Sequence, residues 1–106
     1  METMKVSSSS IPSKVAGALT CLLREHSKVT IQVIGAASLN QAMKAIAIAR
    51  GYIAPGGNEI YCVPSFYDLT IDNQTITSLR LNVEIHEKLF WILWKIGIIS
   101  FILQGD

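Results

Sequence analysis

The apolar positions of this chain change their period several times, and each change marks an element. Met4 to Ser8 reads as a short first strand, and the hydroxyls of Ser7 to Ser10 end it by competing for backbone hydrogen bonds. From Pro12 the rhythm becomes helical: Ile11, Val15, Ala18, Leu19, Leu22 and Leu23 recur on one face, and a proline without an N–H is harmless in a first turn. Val29 to Ile34 then alternates, with Val29, Ile31 and Val33 set against Thr30 and Gln32, which predicts a second strand broken by Gly35.

A second helix is expected with Ser38 as its N-cap and Gln41 three residues on, a pairing that satisfies two orphan backbone donors, and with Gly51 as its end. Its body is apolar nearly all round, from Ala42 and Met43 through Ile48 and Ala49, so it is expected to be buried on two sides, by the sheet and by a partner helix or subunit. Gly56 and Gly57 read as a turn after Pro55. Glu59 to Phe66 and Thr75 to Ile85 read as strands joined through Asp72 and Asn73; the second alternates Thr77, Leu79, Leu81, Val83 and Ile85 against Ser78, Arg80, Asn82 and Glu84. The order β-α-β-α-β-β has helices long enough for crossovers. Strands one and two should therefore be parallel and close in the sheet, with both helix N-termini at one sheet edge.

A length of 106 residues supports one α+β domain with a core large enough to fold without disulfide or metal. The net charge of +1 excludes a strong long-range field, so any anion site must be local. Cys21 and Cys62 lie in apolar surroundings and are expected to be reduced, core-filling thiols of a cytoplasmic protein. No apolar run of signal-peptide length opens the sequence.

Two neighbouring helix N-termini gather free N–H groups and two positive dipole ends, which favour an anion. Lys14 and Lys44 are the leading candidate contacts. Lys5, Asn40 and Arg50 are weaker ones, and the hydroxyls of Ser10 and Ser13 stand nearby; Asn40 and Lys44 share a helix face. The plain alternative is that these lysines are solvated charges and that Ser38 and Gln41 only cap a helix. Catalysis is not expected, because neither His26 nor His86 is tied to Cys62 by a motif. The two histidines and two cysteines have no zinc spacing, there is no phosphate-loop pattern, and no cofactor is expected.

The segment Gly35 to Pro55 (GAASLNQAMKAIAIARGYIAP), with Met4 to Leu23 (MKVSSSSIPSKVAGALTCLL) upstream, resembles the signature of the stage V sporulation protein S family. The resemblance covers about Met4 to Glu84. It implies an Alba-like two-layer sandwich, a four-stranded mixed sheet with two helices on one face. It also implies a small regulatory protein of sporulation or development that binds DNA or RNA, typically as a homodimer. Alba-like proteins place basic residues in the loop after strand one, at the start of helix two and on the hairpin. Lys14 fits the first place, and Asn40 and Lys44 lie near the second. The hairpin segment Asp68 to Thr77 has two acids and no base, so binding is expected to be weak and salt-sensitive. The rival expectation is a self-assembling interaction scaffold built on helix two.

Residues 1–86 therefore form the domain, and 87–106 a hydrophobic extension. Leu89 to Leu103 is almost entirely apolar, with Trp91 and Trp94, yet it is shorter than the ~20 residues that span a bilayer and contains Lys95. It fits a peripheral membrane anchor, an element packed on the domain or a second subunit, or a read-through extension.

Overall fold

The computed structural model describes residues 2–87 together with position 97; the apolar extension lies outside the described residues. The elements are β1 (Glu2–Lys5), α1 (Pro12–His26), β2 (Lys28–Val33), α2 (Ala36–Ile53), a 3-10 turn (Ala54–Gly56), β3 (Asn58–Ile71) and β4 (Gln74–Glu87). They build a four-stranded sheet in the order β1-β2-β4-β3. β1 and β2 are parallel, while β4 runs antiparallel to both β2 and β3. The sheet is mixed, as the resemblance implied.

One face of the sheet carries the core. Val29, Ile31 and Val33 of β2 and Leu81 and Val83 of β4 are buried with Leu19 and Leu23 of α1 and with Ala42, Ala45, Ile46, Ala49 and Ile53 of α2. Ala42, Ala45 and Ala49 of α2 are fully buried, and such small side chains allow a helix backbone to lie close to its neighbours.

Several boundaries differ from the sequence expectation, each for a local reason. β1 ends at Lys5 and not at Ser8, because Ser7 to Ser10 closes a turn on itself: the Ser10 N–H donates to the Ser7 carbonyl at 3.1 Å, and the Ser7 N–H to Ser10 Oγ at 2.9 Å. Ile11 and Ala18 are exposed, and the inward face of α1 is Ala16, Leu19, Thr20 and Leu23. Thr20 is tolerated there because its hydroxyl donates to the Ala16 carbonyl at 2.8 Å. Cys21 faces solvent and fills no core, whereas Cys62 is half-buried against it.

The capping box at Ser38 does not form. α2 begins three residues earlier, at Ala36, because Gly35 adopts φ 86°, a conformation that lets β2 turn directly into the helix. Ser38 is then inside the first turn and its hydroxyl donates back to the carbonyls of Ile34 and Gly35. Gln41 instead reaches across the helix layer and donates to the Ser10 carbonyl at 3.0 Å. At the far end α2 continues through Gly51 to Ile53, whose side chain is 3% exposed and extends the core stripe. α2 is also buried on one broad face only, since Met43 and Tyr52 are about half exposed.

The hairpin is longer than its sequence pattern indicates. β3 and β4 pair from Asn58↔Glu87 to Ile71↔Gln74, whereas β2 covers β4 only from Leu79 to Glu84. The outer part of the hairpin therefore projects beyond the rest of the sheet. Asp72 and Asn73 close it with φ of 51° and 61°, the signature of a two-residue turn that matches strand twist.

Candidate functional site

Because β1 and β2 are parallel, the loops that leave them for α1 and α2 emerge at the same sheet edge, where the hairpin projects. A cleft of about 590 Å³ lies there, lined by residues 5–8, Gln32, residues 34–38 and the β3 residues Tyr67, Leu69 and Ile71. Neither helix has a side chain capping its N-terminus. The bond from Gln41 to the Ser10 carbonyl ties the loop after β1 to α2.

Lys5 lines this cleft directly. Lys14 is exposed in the first turn of α1, with Ser13 beside it. Ser10 is half-buried and its hydroxyl is held by the Ser7 N–H and hydroxyl, so it shapes the loop. Asn40 and Lys44 are exposed on α2. The early start of α2 places Lys44 about 12 Å along its axis from the first residue, well behind the N-terminus. Arg50 belongs to the opposite end of the helix and forms a bidentate pair with Glu59, at 2.7 and 3.0 Å, which raises its pKa. Its role is to tie α2 to β3, and it stands apart from the cleft.

The cations divide by use. Lys28 pairs with Glu84 at 3.5 Å, Arg24 donates to the Tyr52 carbonyl at 3.3 Å, and Arg80 lies over the Tyr67 ring at 4.4 Å. Among the described residues, no carboxylate pairs with Lys5, Lys14 or Lys44.

The sheet face opposite the helices adds residues that the candidate set lacked. Register places Lys5 beside Gln32, Gln32 beside Arg80, and Arg80 beside Ser65, so one polar row with two cations crosses all four strands. The next position outward on β3 is Tyr67, under the Arg80 guanidinium. The polar phases of β2 and β4 were visible in the sequence, but their alignment into one row depends on register between strands far apart in the chain. Further along the same face, Asn82 donates to the Val63 carbonyl at 3.0 Å and Glu84 accepts from Lys28 and His86. The His86 bond, reinforced by Lys28, holds the Glu84 carboxyl below its usual range.

Cys62 pairs with Val83 on the core face, while His86 stands on the opposite face beside Tyr61 and Glu84. Burial pushes the Cys62 thiol up, away from thiolate. Among the described residues, no helix is long and apolar enough to cross a membrane, and no group of His, Cys, Asp and Glu is placed to hold a metal ion.

The fold is similar to that of Alba from Thermoplasma volcanium, with a TM-score of 0.55 at 13% sequence identity, over 78% of this chain and 99% of that one. At that identity the likeness speaks to architecture, and it makes this an Alba-like fold. The sequence profile described as Stage V sporulation protein S matches residues 2–86, from the start of β1 to the penultimate residue of β4. The chain therefore belongs to the Stage V sporulation protein S family.

Proposed function

We propose that this protein is a non-enzymatic nucleic-acid-binding regulator within a sporulation-related family, and that it contacts the phosphate backbone at the edge where β1 and β2 end. The observation that carries this reading is the division of the cations. Lys5, Lys14 and Lys44 have no carboxylate partner among the described residues, and Lys5 borders the cleft at the uncapped helix starts. Amines without a carboxylate partner can meet a phosphate without breaking an ion pair, whereas Arg50 would first have to leave Glu59. Three cations make a weak, salt-dependent binder with little sequence preference, because phosphate contacts carry no base information.

The test is fluorescence anisotropy with labelled RNA and DNA oligonucleotides and the full chain across a salt series, alongside a Lys5→Ala/Lys14→Ala/Lys44→Ala variant. The expected result is an affinity that falls with salt, and a slope reduced in the variant by roughly two to three units. A folded wild-type protein that binds neither at low salt, or a variant with an unchanged slope, removes the proposal.

One observation favours self-association as a second reading. Among the described residues no strand pairs with the outer edge of β3, and on that strand Val63 and Phe66 are 64% and 79% exposed. Light scattering at two concentrations that reports only monomer would count against a dimer built on that edge.

A further inference from the structure

The cleft beside Lys5 is apolar in most of its lining, which a site for phosphate alone does not require. Ile34 forms one wall, 47% exposed, and Tyr67, Leu69 and Ile71 of the hairpin form the other, with Ile71 43% exposed. Its polar lining is Lys5 and Gln32, side by side in the sheet, together with Ser7, Ser8 and Ser38. No acid lines it. The hairpin acids do not spoil this surface: Asp68 alternates with Tyr67 and Leu69 onto the other face, where the Thr77 hydroxyl donates to it at 3.3 Å, and Asp72 is in the turn. Glu84, on the same face as the cleft, lies toward the other end of the sheet and is held by Lys28 and His86.

We infer that the cleft seats an unstacked base of a single-stranded nucleic acid, with Lys5 at the margin taking the adjoining phosphate. This rests on the nucleic-acid reading above and narrows it to one class of ligand. Apolar and aromatic walls gain by covering a base, and any base presents a flat apolar face. In a duplex the bases are stacked and paired, so the same walls would meet only sugar and phosphate. The volume, about 590 Å³, is in the range of pockets that enclose small organic groups. The Arg80 guanidinium over the Tyr67 ring fixes that ring as part of the wall and sets a second cation behind it.

The experiment compares three probes on the full chain at one low salt concentration: a labelled single strand of about 12 nucleotides, an abasic strand with the same number of phosphates, and the corresponding duplex. The base-bearing strand is expected to bind about 5- to 150-fold more tightly than the abasic strand, for one seated base, and more tightly than the duplex. Ile71→Ser and Tyr67→Ser should bring the ratio of base-bearing to abasic affinity toward one while leaving the salt slope intact, and Tyr67→Phe should preserve the ratio. Ile71 is exposed on the hairpin, so its variant keeps the test valid should Tyr67→Ser unfold. Equal binding of abasic and base-bearing strands, or a duplex bound as tightly as the single strand, overturns the base pocket and leaves the phosphate site standing. Failure of both strands to bind overturns the two together.

Discussion

The two halves of β4 belong to one strand and follow different rules. From Leu79 to Ile85 its alternate residues enter the core, opposite Val33, Ile31 and Val29 of β2, and Leu81 and Val83 are 2% and 0% exposed. From Gln74 to Ser78 its neighbour is β3 alone, and the facing β3 residues from Tyr67 to Ile71 are exposed or half-buried. In the first half burial selects the register, since a slip by one residue would send the core side chains to solvent. In the second half register is inherited, from the buried half on one side and the Asp72-Asn73 turn on the other. The same arm supplies the wall of the cleft, so the surface proposed to bind is the part of the sheet least committed to the core.

The largest expected break in this comparison is Leu81→Ala, which should cost about 2–5 kcal/mol in urea unfolding through lost burial and the cavity left behind. Ile71→Ala on the arm should stay within about 0.5 kcal/mol, and equal costs would mean that the arm is packed after all. An intermediate effect is expected at the turn. Asn73→Val forces a β-branched residue into φ 61° and should cost about 1–2 kcal/mol, while Asn73→Gly should be neutral or stabilising. Hydrogen exchange should show the loss confined to amides near the tip.

The smallest effect is at Glu84. Its folded pKa is lowered, chiefly by the His86 bond, so its stabilisation is present above the unfolded carboxyl range and disappears as pH falls through the folded value. Thermal unfolding of Glu84→Gln should differ slightly from wild type near neutral pH, and the two should converge as acid protonates the Glu84 carboxylate of the folded protein. A difference that grows with acid would reverse the assigned sign.

Where side chains report their own surroundings, the sequence was readable. The alternation of Val29, Ile31 and Val33, the helix opening at Pro12, and the hairpin turn at Asp72 and Asn73 all appear as expected, and so does the parallel placement of β1 and β2. The sequence was misleading where a polar side chain had more than one partner within reach. Ser38 and Gln41 have capping-box spacing, yet Gly35 started the helix earlier and the Ser10 carbonyl captured Gln41. Arg50 is a phosphate candidate in the sequence alone, and the fold pairs it with Glu59.

By itself, then, the sequence determined the order of elements, the core face of the sheet and the family, because hydrophobic period and turn chemistry act over a few neighbouring residues. Only the tertiary structure decided which cations stay unpaired, how far the hairpin projects, and that Lys5, Gln32 and Arg80 form one row beside an apolar cleft. Those outcomes depend on register between strands separated by dozens of residues, and core packing fixes that register.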